Sequence, residues 1–359
     1  MKINEVISLL EELSPLSYSE DFDNTGLLLG DLNTEVSGIL VTLDTLESVV
    51  DEAINNDCNL IVSFHPIIFS GLKKLTGKNY VERVVIKAIK NNIAIFSMHT
   101  ALDNSWNGVN AMICEKLKLT NRNILIPKNK TIKKLTTYVP SDNADKLLEQ
   151  LFKAGAGSIG NYENCSFSTN GTGSYLGNEN SNPVKGVKGE MHYEKEVQLS
   201  VTLPKHKEVS VLKALFNAHP YEEVAYEVVT LENINQHIGM GMIGELEKPI
   251  SETEFLNYLK DTMKTNCIRH SNLMNKNIKK IAVLGGSGSY AIDAAKRLGA
   301  DAFVTADCKY HDFFKTENSI LLADIGHYES EQYTKELLVA FLNKKITTFA
   351  VLLSQINTN

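Results

Sequence analysis

The sequence lacks the features that mark several classes of protein. Its apolar stretches, such as residues 349–353, fall far short of the roughly 20 residues that a membrane-spanning helix needs, so we expect no membrane association. It has no excess of basic residues, because 36 lysines and arginines face 43 aspartates and glutamates for a net charge of −7. That balance supplies no overall basic field for a phosphate backbone and argues against a nucleic-acid partner.

Cysteine is scarce and shows no pairing pattern. The five cysteines are odd in number and far apart, and no two of them form a C-x-x-C motif. Residues 1–14 contain three glutamates, which is not the pattern of a secretory signal peptide. Together these observations predict a cytoplasmic protein in a reducing compartment.

The apolar pattern predicts an α/β core built on parallel sheets. With 359 residues, 43% of them apolar, the chain is long enough for two domains. Strand-like runs alternate with helical patterns in both the first and the last third of the chain, which is typical of parallel strands covered by helices. We predict strands at residues 39–43, 59–63, 93–98, 281–284, 302–305 and 320–324, with helices near 46–55, 81–90 and 330–342.

The middle of the chain contains an internal repeat. At an offset of 64 residues, Pro140 matches Pro204 and Leu148 matches Leu212, and each copy reads as a strand, a proline turn and a helix. The pair predicts a duplicated split βαβ unit of the ferredoxin-like kind. We therefore expect an inserted domain at residues 129–235, within a core formed by 1–128 and 236–359. Residues 169–187, rich in Gly, Asn and Ser, are expected to form a mobile loop.

Three predicted strands end in histidine, two of them with a carboxylate four residues later. His65 follows the strand at 59–63, His99 and Asp103 follow the strand at 93–98, and His327 and Glu331 follow the strand at 320–324. Open α/β sheets bind their ligands at the carboxyl edge. Each motif alone is more often a turn or a surface pair. Their occurrence at three equivalent positions instead predicts a site for a divalent cation: zinc, iron, manganese or cobalt.

Several motifs in one order resemble the Ngg-one-interacting-factor-three-like family, whose bacterial members are often named GTP cyclohydrolase I type-two homologues. In the core these are residues 20–27 (EDFDNTGL), 63–69 (SFHPIIF), 99–103 (HTALD), 285–289 (GGSGS) and 307–312 (DCKYHD). Residues 155–162 (GAGSIGNY) and 219–223 (HPYEE) resemble the CutA-like insertion of longer members. The resemblance covers nearly the whole chain.

The resemblance implies a two-metal site in a cavity and a toroidal homohexamer. Its ligands in this chain would be His65, Asp103, His327 and Glu331. Phe64 departs from the family pattern, which has two adjacent histidines before the proline. A phenyl ring has no lone pair for a cation, so the chain is expected to bind either one or two metal ions.

Other residues are candidates for supporting roles. His99 and His311 are interpreted either as residues that orient a ligand or as general bases. Residues 285–289 follow a strand and precede a helix, where they form either an anion cradle or, as we favour, a tight turn.

Two functions fit these observations. One is a metal-dependent hydrolase acting on a small molecule, which by resemblance would be a nucleotide such as GTP. The other is a non-catalytic oligomeric module that a metal stabilises and that regulates or binds other proteins.

Overall fold

The structure, a computed structural model, describes residues 1–359 and divides into two compact units. The core unit consists of Met1–Pro127 and His237–Asn359, and the inserted unit is Lys128–Gln236. None of the helices is long and apolar enough to cross a bilayer. The five cysteines are free thiols.

Helices and strands alternate along the whole chain. Before the insert, the core unit contains α1 (Ile3–Leu13), β1 (Gly26–Leu29), β2 (Gly38–Thr42), α2 (Glu47–Asn55), β3 (Leu60–Ser63), α3 (Tyr80–Lys90), β4 (Ala94–Ser97), α4 (His99–Asp103), α5 (Val109–Lys116) and β5 (Thr120–Pro127). The inserted unit contains β6 (Ile132–Pro140), α6 (Ala144–Lys153), β7 (Phe167–Leu176), β8 (Met191–Pro204), α7 (Glu208–Ala218) and β9 (Tyr226–Leu231). After the insert come β10 (Gly239–Ser251), α8 (Glu252–Met263), β11 (Arg269–His270), β12 (Asn277–Ser287), α9 (Ile292–Arg297), β13 (Ala302–Ala306), β14 (Leu321–Asp324), α10 (His327–Glu331), α11 (Thr334–Lys345) and β15 (Ala350–Leu353).

Two sheets form the core unit, and each takes a strand from the other part of the sequence. The first sheet has the order β1-β4-β3-β2-β15, in which only β1 is antiparallel to its neighbour. The second has the order β11-β14-β13-β12-β10-β5, with β12, β13 and β14 parallel and the remaining pairs antiparallel. Because β15 joins the first sheet and β5 joins the second, the two segments of the core unit fold together.

Local sequence explains most of these elements. In α1, Ile3, Val6 and Leu10 recur at three- and four-residue spacing and form the buried face. Strands β2, β3 and β4 are buried at every position, as expected of parallel strands covered on both faces. Helix α8 begins with a capping box, in which the Ser251 hydroxyl accepts from the Glu254 backbone N–H at 3.3 Å.

The inserted unit has one antiparallel sheet of order β7-β8-β6-β9. Its chain order is strand, helix, strand, strand, helix, strand, and each repeat copy is a strand that ends in proline before a short 3-10 turn and a helix. The expectation of a mobile loop at residues 169–187 was wrong for its first part. Residues 169–176 belong to β7, which pairs without a break along β8. The glycines and small polar residues of this segment have little strand propensity, but pairing with β8 satisfies the hydrogen bonds of their backbone.

Candidate metal centre

The site lies where the carboxyl ends of the two parallel strand groups meet. His65 comes two residues after β3 in the first sheet, and His327 comes three residues after β14 in the second. Their Nε2 atoms are 3.4 Å apart. Parallel strands have their carboxyl ends on the same edge of a sheet. Because two such edges face each other here, residues from distant parts of the chain meet in one site.

Glu331 completes a cluster with these histidines. One oxygen, Oε2, lies 3.1 Å from the His65 Nε2 and 3.1 Å from the His327 Nε2. Helix α10 places His327 and Glu331 four residues apart on one face, as their spacing predicted. One ligand atom from each of the three residues lies within 4.8 Å of the others, a separation suited to a shared cation.

Two aspartates decide which nitrogen of each imidazole faces the cluster. The His65 Nδ1 lies 2.8 Å from the Asp44 Oδ1, and the His327 Nδ1 lies 2.7 Å from the Asp307 Oδ2. When each Nδ1–H donates to its aspartate, both Nε2 lone pairs point toward the Glu331 Oε2, which then has no hydrogen-bond donor. Three lone pairs that converge in this way require a cation between them, so these residues fit a divalent metal.

The pKa values of His65, His327 and Glu331 also favour positive charge within the cluster. Burial lowers the pKa of His65, but the hydrogen bonds with Asp44 and Glu331 outweigh it and raise that pKa to about 10. The hydrogen bond with Glu331 raises the pKa of His327 to about 9. Burial opposes ionisation of Glu331, yet the hydrogen bonds with the two histidines hold its pKa below the usual range. Without a metal, protons supply the positive charge that the cluster needs.

Asp103, the fourth predicted ligand, lies at the end of α4 and outside the three-residue cluster. It is buried, and its Oδ1 has no hydrogen-bond partner. Burial, followed by the charge of Glu331, raises its pKa well above the usual range, while His65 and His327 act in the opposite direction. A buried carboxylate without a donor, within the electrostatic reach of the cluster, has the character of a ligand for a cation.

The two histidines predicted as supporting residues lie in different places. The His99 Nδ1 is 2.7 Å from the Asp23 Oδ1, and its ring centroid is 5.4 Å from that of His65. Its φ of 27° is unusual for a non-glycine residue, and such strained backbone is concentrated at functional sites. His311 is exposed in a 3-10 segment, where its ring packs against Tyr310 and Phe314 rather than against the cluster.

Phe64 and Gly286 shape the walls of the site. Phe64 is fully buried, and its ring centroid lies 4.9 Å from that of His65 and 5.7 Å from that of His99. Gly286 has a φ of +66°, and a Cβ added there would lie 2.4 Å from the Glu331 Oε1. The backbone N–H groups of Gly285 and Gly286 donate to the Asn110 Oδ1 and the Ser330 Oγ. Both residues belong to β12, which runs to Ser287, so the expected tight turn does not include them. The backbone at Gly286 lies close against Glu331, and the two amides are not free to cradle an anion.

Sequence reasoning missed the three aspartates that orient the histidines: Asp23, Asp44 and Asp307. The signal for two of them was present, because Asp44 follows β2 and Asp307 follows β13 at the same carboxyl edges that carry His65 and His327. Asp307 also has a φ of 55°, a left-handed conformation that aspartate tolerates better than most residues.

A cleft of about 570 Å³ opens beside the cluster. It is lined by Leu43, Asp44, His65, Gly326, His327, Tyr328, Glu329, Thr358 and Asn359. A second cleft of about 260 Å³ shares Asp44, His65 and Thr358 and extends to Tyr80. Both histidines of the cluster are therefore reachable from a space large enough for a small molecule.

The fold and the site define a class of α/β protein in which a histidine–carboxylate centre lies between the carboxyl edges of two sheets. The sequence profile described as Duf34/NIF3 (NGG1p interacting factor 3) matches residues 1–359, and the chain belongs to this family. This confirms the resemblance drawn from the motifs.

Similar proteins cover almost the same length. A Bacillus subtilis protein named GTP cyclohydrolase 1 type 2 homolog is 36% identical over 364 residues, which include 99% of this chain and 96% of the relative. A solved structure of a Bacillus cereus protein related to NIF3 has a TM-score of 0.88 and 34% identity, and covers 100% of this chain and 98% of that one. A Staphylococcus aureus protein has a TM-score of 0.79 and 30% identity, with coverage of 100% and 97%.

Proposed function

We propose that this protein is a metal-dependent hydrolase whose cation is held by His65, His327 and Glu331, with Asp103 as a further ligand. The observation that carries the proposal is the convergence of two imidazole Nε2 atoms and one carboxylate oxygen, with both Nδ1 atoms committed to aspartates. A divalent cation held by these residues would activate water for hydrolysis near neutral pH.

The chain's own residues have separate roles in this proposal. Asp44 and Asp307 hold the Nδ1 protons, which keeps the histidines in the tautomer that binds metal. Asp23 orients His99 through its Nδ1, and this leaves the His99 Nε2 able to accept or deliver a proton. His311 remains a predicted general base without a contact to support it. The name of the relatives points to hydrolysis of GTP, and that activity comes to this chain only as an expectation.

Two structural features belong to the same proposal. The strand and helix order of the inserted unit, with the sheet order β7-β8-β6-β9, supports a ferredoxin-like, CutA-like domain. The family resemblance implies a homohexamer, which analytical ultracentrifugation of the purified chain tests directly.

Metal analysis of the protein as purified, without added salts, is the first test. Asp44→Asn should weaken metal affinity by about 10- to 100-fold, as is typical when the residue that orients a ligating histidine is changed. Hydrolysis of a panel of small molecules, uncharged and charged ones including nucleotides, is measured with the metal-loaded protein, and any turnover should be lost in Asp103→Ala and Glu331→Ala. Turnover unchanged in both variants would refute the hydrolase. Metal binding without any turnover would favour the alternative, a non-catalytic oligomeric module with regulatory or protein-binding roles.

A further inference from the structure

The cleft beside the cluster has an acidic lining. Asp44 and Glu329 are its carboxylates, and lysine and arginine are absent from the residues that line either cleft. Sites for nucleoside triphosphates surround the phosphates with lysine, arginine and free backbone N–H groups. A polyanion that entered this cleft would instead meet negative side chains.

Bound metal does not reverse this balance. Five carboxylates lie in or directly around the centre, against at most two divalent cations: Asp23, Asp44, Asp103, Asp307 and Glu331. Glu329 adds a sixth at the mouth of the cleft. Once the cations replace the protons of the histidines, the centre keeps no positive charge with which to attract three phosphates.

Backbone donors do not substitute for the missing cationic side chains. The N–H groups of Gly285 and Gly286 already donate within the protein, at 3.0 Å and 2.9 Å. The N–H of Gly326, at the start of the five-residue helix α10, donates to the Asp324 Oδ1 at 3.2 Å. These three amides therefore form no anion cradle at the centre.

Volume is not what excludes a nucleotide. About 570 Å³ falls within the range of roughly 300–1,000 Å³ that small-molecule sites occupy. Leu43 and Tyr328 give the cleft apolar surface, while Glu329 and Asp44 give it acceptors. Such a lining suits a partly apolar body that carries N–H or O–H groups and no negative charge.

We propose that the metal centre takes an uncharged or cationic small molecule with N–H or O–H donors as its substrate, and that it excludes nucleoside triphosphates by charge. This inference rests on the proposed function, because it names the class of substrate for the same centre. Asp44 and Glu329 in the cleft would accept hydrogen bonds from the N–H or O–H groups of the ligand.

Two flat chelators of similar size test the charge of the cleft directly. Protein loaded with zinc is mixed with neutral phenanthroline or with the dianion dipicolinate, and release of zinc is followed over time. We expect dipicolinate to extract zinc at least about tenfold more slowly than phenanthroline does. High salt should accelerate extraction by dipicolinate, because it screens repulsion between charges. Glu329→Gln should accelerate zinc release by dipicolinate and leave the rate of release by phenanthroline unchanged. Glu247→Gln is the matched control, since this exposed glutamate lies outside both clefts.

The outcomes separate this inference from the proposed function. Dipicolinate that extracts zinc as fast as phenanthroline, with no response to Glu329→Gln or to salt, overturns the inference while the metal-dependent hydrolase stands. GTP at millimolar concentration should not slow extraction by phenanthroline, and protection by GTP would likewise overturn it. A purified chain that retains no metal refutes the proposed function and the inference with it.

Discussion

His65 and His327 are 262 positions apart in the sequence, yet their Nε2 atoms approach within 3.4 Å. Each ring donates its Nδ1–H to an aspartate, so neither Nε2 carries a proton when the ring is neutral. Two lone pairs this close repel each other unless a proton or a metal lies between them. The stability of the metal-free protein should therefore depend on the protons that these rings hold.

The pH dependence of the metal-free protein follows from the raised pKa values. His65 titrates at about 10 and His327 at about 9 in the folded state, against about 6.5 for an unfolded histidine. A raised folded pKa adds stability that is fully present below about pH 6.5 and is lost as the pH rises through the folded values. We expect the free energy of unfolding, measured with urea in the presence of a chelator, to fall between pH 7 and pH 10.

Glu331→Gln provides the comparison for that measurement. The hydrogen bond with Glu331 is the largest cause of the raised pKa of His327 and also contributes to that of His65. The variant should therefore show a shallower fall over the same pH range. An equal fall in both proteins would mean that other groups titrate there.

Gly286→Ala tests the close packing of the Gly286 backbone against Glu331. The added methyl group would lie 2.4 Å from the Glu331 Oε1, and Gly286 has a φ of +66°. Gly299→Ala is a matched control, because Gly299 has a φ of +70° and no heavy atom within 4 Å of the added Cβ. Both substitutions should cost about 1 kcal/mol through backbone strain. Only Gly286→Ala should also weaken metal binding, by at least about tenfold, in a chelator competition; equal affinities in the two variants would contradict this role of Gly286.

Removal of residues 128–236 tests whether the core unit builds the centre alone. Pro127 at the end of β5 is the pairing partner of Gly239 at the start of β10, so a loop of a few residues can close the gap as a hairpin. His65, Asp103, His327 and Glu331 all belong to the core unit. The shortened protein should fold and bind metal with unchanged affinity. A well-folded deletion variant that has lost metal binding would show that the insert contributes to the site.

Periodicity and strand ends predicted six of the parallel strands and the residues that gather at the centre, because these features depend on local sequence. The parallel strand β15 and the antiparallel strands β1, β5, β10 and β11 were not predicted, since their place in a sheet depends on contacts distant in sequence. His311 illustrates the same limit. It lies four residues after Asp307, which contacts His327, but the intervening chain enters a 3-10 segment that carries His311 to the surface. Proximity in sequence did not predict proximity in space.

Phe64 carries the last prediction, which concerns the number of metal ions. Its buried ring lies beside His65 and His99. The family pattern that the sequence resembles has a histidine at this position. Two cations about 3.5–4 Å apart repel each other and need ligands on both sides, and only His65 and His327 supply nitrogen to the cluster. We expect one tightly held metal per chain, with a second that is weak or absent.

Phe64→His should allow a second metal ion to bind, because it adds an imidazole nitrogen beside His65. After dialysis against a mild chelator, metal analysis should give close to one ion per wild-type chain and close to two in Phe64→His. The variant should also lose on the order of 2 kcal/mol of stability, because a polar ring replaces a fully buried phenyl group. Phe64→Leu, which removes the ring without adding nitrogen, should stay close to one ion. A wild-type protein that retains two ions, or a folded Phe64→His variant that gains none, would show that the phenyl ring does not limit occupancy.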